Sequence, residues 1–279
     1  MKLTEEQLKE IKIIEKELFI SFISVCEKLN LKYYLLGGTL LGAVRHQGFI
    51  PWDDDIDVGM PREDYEIFLE KGQALLPDGF FLQSYKSDPN YPNCFAKIRN
   101  SNTTYLETSV KNCDMNHGVF IDIFPLDYYP DDKKTKDRFI FKKNLLNIRI
   151  SSVYQSKRKK LKVRLISFLL KLRYPSYKMA VKKREKLYKS ISTGSMLANY
   201  GGAWGAKEIV PKEWYGEGVW LEFEGLSVRA PIEYDKWLSQ VYGDYMQLPP
   251  ADKRCPHHYV DVLDFEKSYR EYVSKGVTK

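Results

Sequence analysis

The sequence has no long apolar run and only four cysteines among its 279 residues. No segment reaches the roughly 18 consecutive apolar residues that a membrane-spanning helix needs. The polar start MKLTEEQLKE lacks the apolar segment of a secretory signal peptide. Cys26, Cys94, Cys113 and Cys255 form no CxxC pair, which argues against a zinc ribbon and gives no basis for a disulfide framework. We therefore expect a cytoplasmic protein with free thiols.

Positive charge is concentrated in one part of the chain. The whole sequence carries a net charge of +7, yet residues 131–190 alone contain 21 Lys or Arg and 4 Asp or Glu, a net charge of +17, which leaves −10 for the rest. Such a segment is most often a solvated helical face, and next most often a surface for an anionic partner such as membrane lipid or nucleic acid. Nucleic acid is the less favoured partner, because regular aromatic interleaving is absent.

The first 72 residues predict alternating helices and strands. Thr4 and Gln7 form a capping-box pattern, and apolar residues at helical spacing follow over 5–29. The elements predicted next are a strand over 31–36, a short helix that Thr39 caps, a half-buried strand over 53–60 and a helix over 62–71. This order indicates an α/β protein.

The remainder of the chain predicts further strands around a basic, mostly helical insert. We expect FAKIRN (95–100) and TTYLE (103–107) to pair, and GVFIDIFPLD (118–127) to form a strand that Pro125 stops. The insert, 131–190, has helical patterns with a break near Pro175. Residues 199–247 predict short strands and turns, with a helix near 233–242. The expected divisions are a catalytic core over 1–130, the insert over 131–190, and strands and a tail over 191–279 that complete the core.

An acidic segment, DDDIDVGM, carries the clearest chemical signal. On a strand, Asp53, Asp55 and Asp57 would share one face, where three carboxylates repel one another unless a cation lies among them. Oxygen ligands favour Mg²⁺ or Mn²⁺ over zinc. Gly37 and Gly38 precede the segment, and glycines allow backbone N–H groups to approach a phosphate closely. Asp122, within VFIDIF, is a candidate third carboxylate from a neighbouring strand, which completes a metal site for phosphoryl transfer.

Three other interpretations of this segment are weaker. A solvated acidic loop is the common explanation of a lone DxD, but four aspartates in five residues, preceded by GG, exceed that pattern. An EF-hand calcium loop requires Gly where Val58 stands. The DDxxD of prenyl synthases lies on a helix, whereas the alternation of Ile56 and Val58 favours a strand, and the sequence has no second Asp-rich motif.

The segment YYLLGGTLLGAVRHQGFIPWDDDIDVGMPREDYEIF closely resembles the signature block of the LicD family, which includes bacterial phosphocholine transferases and the fukutin-related proteins. HGVFIDIFPLD, FAKIRNSNTTY and the tail around PHH are also similar to family segments. The resemblance covers roughly residues 20–130 and 240–260. It implies a nucleotidyltransferase-like mixed sheet (α+β), with Asp55 and Asp57 as paired ligands of Mg²⁺ or Mn²⁺ and Asp122 as the third carboxylate.

The resemblance also implies a reaction. A CDP-alcohol donor, with CDP-choline favoured, would transfer its phospho-alcohol to a hydroxyl of a glycan or lipid-linked glycan, such as a teichoic-acid precursor, and release CMP. The alternative enzyme is a nucleotidyltransferase that moves a nucleotide from an NTP to a small acceptor. An alternative of another class is a polyanion-binding or nucleic-acid-binding protein that uses the basic insert.

Four other residues are candidates for donor binding. Arg45 follows the glycine pair and is placed for a phosphate contact. Lys97 and Arg99 lie two apart on one strand face, where they either clamp the donor diphosphate or form a solvated strand. His257 belongs to a histidine pair that is commonly structural, and the resemblance favours a place at the edge of the active site.

The segment KVRLISFLLKLRY (162–174) mixes apolar and basic residues at helical spacing. Such a helix either packs on the core with a wet basic side or lies on an anionic membrane surface. A cluster of Lys157, Arg158, Lys159 and Lys160 precedes it. The second interpretation predicts a protein that contacts the inner face of the cell membrane through the insert.

Overall fold

The N-terminal helix α1 (Glu5–Leu29) begins with the capping box that the sequence predicts. The Thr4 hydroxyl accepts a hydrogen bond from the Gln7 backbone N–H, and the Gln7 side chain accepts one from the Thr4 N–H. One face of α1 buries Ile11, Leu18 and Phe22 in the main core. The computed structural model describes residues 3–154, 161–256 and 258–274. The basic residues at 157–160 and His257 lie outside these described residues.

The main sheet is mixed. Its first elements are β1 (Tyr34–Leu35), α2 (Gly37–His46), β2 (Asp57–Pro61), α3 (Arg62–Lys71), β3 (Phe80–Gln83), β4 (Ala96–Asn100), β5 (Thr104–Glu107) and β6 (Val119–Tyr129). The strand order is β1-β2-β6-β4-β3. β2 and β6 run parallel, whereas the other pairs are antiparallel. The chain is therefore α+β, in agreement with the expected fold class.

The second half of the chain adds a helical segment and returns to the sheet. Its elements are α4 (Lys133–Ile150), α5 (Leu161–Arg173), α6 (Tyr177–Tyr188), β7 (Met196–Asn199), β8 (Ile209–Pro211), β9 (Val219–Phe223), β10 (Leu226–Ala230), α7 (Tyr234–Tyr242), β11 (Val260–Asp264) and α8 (Tyr269–Ser274). β7 pairs with the end of β6, β9 with β10, and β11 with β5. The basic segment is helical as expected and breaks around Pro175. No helix of the described ranges is long and apolar enough to cross a membrane.

Two strand predictions were wrong, because distant residues determine the pairing. β4 and β5 do not pair with each other: β4 lies between β3 and β6, and β5 pairs with β11. β6 does not stop at Pro125. Pairing with β4 ends at Ile123 and pairing with β7 begins at Leu126, so Pro125 lies between two partners where its missing N–H is tolerated.

A largely buried arginine, Arg62, connects the helical segment to the sheet. Arg62, at the start of α3, donates to both carboxylate oxygens of Asp127 on β6, at 2.7 and 2.6 Å. It also donates to Glu185 on α6 at 2.6 Å. The guanidinium thus compensates two buried carboxylates from two different elements, and it fixes α6 against the core.

Candidate metal-binding active site

Three candidate residues lie in one row across neighbouring strands. Asp57 at the start of β2 is in register with Asp122 on β6, and Asp122 is in register with Lys97 on β4. Lys97 Nζ lies 2.7 Å from Asp122 Oδ1, and both side chains are buried. The parallel pairing of β2 with β6 therefore brings together Asp57 and Asp122, which are far apart in the sequence.

The other aspartates stand in the loop before β2. The strand begins at Asp57, so the prediction that Asp53, Asp55 and Asp57 share a strand face was wrong in detail. The loop nevertheless gathers the carboxylates: one oxygen from each of Asp53, Asp54 and Asp55 lies within 4.8 Å of the others. The Asp53 N–H donates to the Ile50 carbonyl at 3.0 Å, which folds the loop back on itself. This turn, and not a strand face, brings the carboxylates together.

Gly37 and Gly38 admit two of these carboxylates to the N-terminus of α2. A Cβ on Gly37 would lie 2.9 Å from Asp57 Oδ2, and a Cβ on Gly38 would collide with Asp53 Oδ2. Gly37 also has a positive φ of 53°, which favours glycine. The first N–H groups of a helix stabilise nearby negative charge. The glycine pair therefore holds carboxylates in the place where the sequence suggested a phosphate.

Thr39 supports the same loop. α2 begins at Gly37 with Leu36 as N-cap, so Thr39 is not the helix cap that the sequence predicted. Its hydroxyl accepts a hydrogen bond from the Asp57 backbone N–H at 2.8 Å. Thr39 is buried and fixes the backbone of Asp57.

A sixth carboxylate, Glu15 on α1, faces the aspartates. It is only 2% exposed, and its Oε2 has no hydrogen-bond partner. Burial, together with Asp55, Asp54 and Asp53, raises the pKa of Glu15 well above its ordinary value. The sequence contained a signal, because Glu15 occupies the buried face of α1, four residues after Ile11 and three before Leu18.

The crowded carboxylates raise one another's pKa values. Burial, and then the charges of Asp55 and Asp122, raise the pKa of Asp57. Burial, Asp55 and Asp54 raise the pKa of Asp53. Buried like charges of this kind are stabilised by protons or by a cation. The oxygen-only donor set, with the orphaned Oε2 of Glu15 beside it, fits a hard divalent ion such as Mg²⁺.

His258 contacts the acidic loop directly. Its Nδ1 lies 3.3 Å from Asp54 Oδ1, and the Tyr105 hydroxyl donates to Asp54 Oδ2 at 3.2 Å. Burial lowers the pKa of His258, but the hydrogen bond to Asp54 and the charge of Asp55 outweigh it and raise the pKa to about 10. The sequence favoured His257 of this pair, whereas the described contact belongs to His258.

Lys97 and Arg99 do not form an open diphosphate clamp in this structure. Arg99 is fully buried. Its guanidinium donates to the Gly118 carbonyl at 2.7 Å, to Gln83 and to Glu107. All three nitrogen atoms of the guanidinium therefore bond to groups within the protein. Lys97 lies against Asp122 and over the Phe120 ring, 3.2 Å from the centroid. The two residues share a strand face as predicted, and both side chains are buried in ion pairs. Their contact with a donor diphosphate stays a prediction.

Basic side chains line one edge of the acidic loop. Lys12 Nζ donates to the carbonyls of Ile50 and Pro51 at 3.0 and 2.9 Å. Burial lowers the pKa of Lys12, and the charge of Asp53 offsets only part of that effect. Arg45 donates to the Tyr245 carbonyl at 2.8 Å. Arg45 therefore connects α2 to the C-terminal segment beside the site, and its contact with a donor phosphate remains a proposal.

Comparisons with known proteins agree with the motifs. A family profile described as "LicD/FKTN/FKRP, nucleotidyltransferase domain" matches residues 30–166. The lipopolysaccharide cholinephosphotransferase LicD of Haemophilus influenzae is 32% identical over 266 residues, which cover 92% of this chain and 96% of that protein. Human ribitol 5-phosphate transferase FKRP is 50% identical over 42 residues, 15% of this chain and 8% of that protein. The protein therefore belongs to the LicD family.

Proposed function

We propose that this protein is a metal-dependent transferase that moves a phospho-alcohol from a CDP-alcohol to a glycan hydroxyl and releases CMP. Phosphocholine is the favoured cargo, because the relative that aligns over nearly the whole chain is named a lipopolysaccharide cholinephosphotransferase. The acceptor is a cell-surface glycan, either lipopolysaccharide or a teichoic-acid precursor. The observation that carries the proposal is the convergence of buried and half-buried carboxylates where β2 runs parallel to β6.

Asp55, Asp57 and Asp122 are the residues proposed to hold Mg²⁺ or Mn²⁺. The ion would neutralise the diphosphate of the donor. Gly37 and Gly38 let the side chains of Asp57 and Asp53 approach the N-terminus of α2, and Thr39 holds the Asp57 backbone in place. These residues define where the donor phosphates bind.

Asp122 is the candidate acceptor of the hydroxyl proton. Burial raises the pKa of Asp122, although Lys97 lowers it, so the carboxylate is a better base than an exposed aspartate. The acceptor oxygen attacks the phosphorus that bears the alcohol, and the bond from that phosphorus to the CMP oxygen breaks. The proton passes to Asp122, and CMP leaves with the bonding electrons.

The basic insert is proposed to bring the enzyme to an anionic membrane at the inner face of the cell membrane. Its described helices carry exposed lysines and arginines, and each such residue near an anionic surface contributes on the order of 1 kcal/mol. A lipid-linked acceptor would meet the enzyme at that surface. This part of the proposal is independent of the carboxylate assignments.

Product analysis with several donors tests the proposed reaction. The protein is incubated with Mg²⁺, a glycan acceptor and CDP-choline, CDP-ribitol or CDP-glycerol in turn, and the glycan is analysed by mass spectrometry. We expect one donor to add its phospho-alcohol, and we expect EDTA to abolish the product. Transfer of a nucleotide from an NTP, with no product from any CDP-alcohol, would favour the nucleotidyltransferase alternative.

A further inference from the structure

A pocket between the three helices of the basic segment has an apolar wall. Its volume is about 390 Å³. Leu146 of α4, Leu170 of α5 and Leu187 of α6 line it, so every helix contributes an apolar side chain. The pocket is separate from the carboxylates, because none of the acidic-loop residues lines it. A cavity of this size and lining fits part of an apolar chain.

The same pocket has a cationic rim. Lys142, Arg173, Lys183 and Lys186 line it together with the leucines, and all four side chains are exposed. An apolar wall beneath four cations matches an amphiphile with an anionic head. Lysine and arginine bind phosphate oxygens through charge-assisted hydrogen bonds, so a phosphate head is the complementary group.

Helix α5 presents apolar side chains to solvent beside this pocket. Leu165, Phe168, Leu169 and Leu172 are 55–71% exposed, and their i, i+3, i+4, i+7 spacing places them on one face. A helix of a globular protein normally buries such a face. Phe141 of α4 and Met179 of α6 are also exposed. An apolar face of this kind beside cations is characteristic of helices that lie in a membrane interface.

A second copy of the chain is a poor occupant of this surface. Residues 131–190 carry a net charge of +17, so two copies would place like charges against each other. An anionic lipid surface instead provides both the apolar medium and the opposite charge. Charge complementarity therefore selects a membrane among the possible partners.

We propose that the α4–α5–α6 pocket binds the phosphate head of an anionic membrane phospholipid, with the start of an acyl chain against Leu146, Leu170 and Leu187. The outward face of α5 inserts into the surrounding bilayer. This inference rests on the proposed contact between the insert and an anionic membrane, and it adds a specific site to that contact.

Two charge-matched variants test the pocket. One replaces Lys142, Lys183 and Lys186 by Gln at the rim. The other replaces Lys133, Lys134 and Arg138, which are exposed near the start of α4 and do not line the pocket, by Gln. Binding is measured by co-sedimentation with phosphatidylglycerol-containing and pure phosphatidylcholine vesicles across a salt series. We expect the rim variant to lose at least about tenfold in binding to anionic vesicles and the control less than about threefold.

The outcomes separate the pocket from the wider proposal. If the unmodified protein binds anionic vesicles and the two charge variants lose equal amounts of binding, the basic segment binds through its overall charge. That result would overturn the pocket. Failure of the unmodified protein to bind either vesicle would overturn both the pocket and the docking, whereas transfer to a soluble acceptor would still test the catalytic proposal.

A third variant tests the face of α5. Leu169→Ser with Leu172→Ser removes exposed side chains, so the fold should persist by circular dichroism and transfer to a soluble acceptor should continue. We expect this variant to bind anionic vesicles more weakly than the unmodified protein. The difference should persist at high salt, because apolar contacts are not screened by ions. Unchanged vesicle binding would overturn the insertion of α5. A self-association of the unmodified protein that these changes abolish would assign the face to a second copy and contradict the proposal.

Discussion

At the scale of single residues, Asp57 has opposite effects on stability and on activity. Its half-buried carboxyl lies among like charges. Loss of solvation, together with the charges of Asp55 and Asp122, raises its pKa. We expect Asp57→Asn to raise the melting temperature of the metal-free protein and to lower turnover at least about a hundredfold. Asp55→Asn should lower turnover similarly. Thermal denaturation and product formation measure the two effects, and near-normal activity of either variant at saturating Mg²⁺ would show that the metal assignment is wrong.

Lys97 forms an ion pair with the buried carboxylate of Asp122, and this pair should contribute to the stability of the metal-free protein. We expect Lys97→Met to destabilise the fold by roughly 3–5 kcal/mol, because Asp122 remains buried and unpaired. Adding Asp122→Asn should restore part of that loss. Lys111→Met is the control: its ion pair with Asp261 has the similar N–O distance of 2.6 Å but is half-exposed, so its loss should cost less than about 1 kcal/mol. Urea unfolding gives the free energy of unfolding of the unmodified protein and of the three variants. Equal losses of stability in Lys97→Met and Lys111→Met would contradict this account.

His117 makes the stability of the fold depend on pH. It is buried, its Nε2 donates to the Cys113 carbonyl, and its Nδ1 has no partner. Burial, reinforced by the Arg99 charge, lowers its pKa to about 4. His117 is therefore protonated in the unfolded chain near pH 6.5 but stays neutral in the folded protein down to about pH 4. The free energy of unfolding falls as the pH drops from about 6.5 towards 4.

We expect a comparison with His117→Gln to isolate this effect, since other groups titrate alike in both proteins. The unmodified protein should lose about 2 kcal/mol relative to the variant between pH 7 and pH 5. Chemical unfolding at several pH values measures the difference. A constant difference across this range would mean that His117 titrates normally in the folded state.

At the scale of secondary-structure elements, Arg62 controls how α6 packs on the sheet. We expect Arg62→Met to cost roughly 3–5 kcal/mol, because Asp127 and Glu185 lose their shared cation. Arg62→Lys retains charge but lacks the fork that contacts both oxygens of Asp127, so it should restore only part of the stability. Hydrogen exchange should rise in α6 (Tyr177–Tyr188) more than in α1. Unchanged exchange in α6 would contradict the role of Arg62.

The sequence predicted elements whose signals are local. The capping box of Thr4 and Gln7 predicted the start of α1. The short helix α2 was also predicted, although it begins at Gly37 and not after Thr39. The signature aspartates predicted the acidic loop. The pairing of β5 with β11, about 155 residues later, could not be predicted, because it depends on which distant strand edge is available.

The sequence predicted which side chains lie on neighbouring strands or on one strand face. It did not predict which of them are buried, because burial depends on other elements. Asp57 and Asp122 could be expected on neighbouring strands from the motifs alone. The spacing of Lys97 and Arg99 gave their shared face, but their exposure depends on Glu107 and Gln83, which other strands supply. Glu15 and His258 join the loop only through tertiary packing of α1 and the tail.

At the scale of the whole molecule, most of the basic helical segment aligns with a relative of the same family. The alignment with the Haemophilus influenzae relative covers 92% of this chain, so most of residues 131–190 have a counterpart there. The family profile itself extends to residue 166. The proposed membrane contact and the proposed carboxylate site therefore both lie largely in parts of the chain that align with this relative.

The most direct test of the proposed reaction follows the two halves of the donor separately. CDP-choline that carries tritium in the cytidine and carbon-14 in the choline is incubated with Mg²⁺, the glycan acceptor and either the unmodified protein or Asp57→Asn. We predict that carbon-14 appears on the glycan and tritium in CMP in equal amounts, and that Asp57→Asn yields neither. Tritium on the glycan would show that the protein transfers the nucleotide, and it would contradict this account.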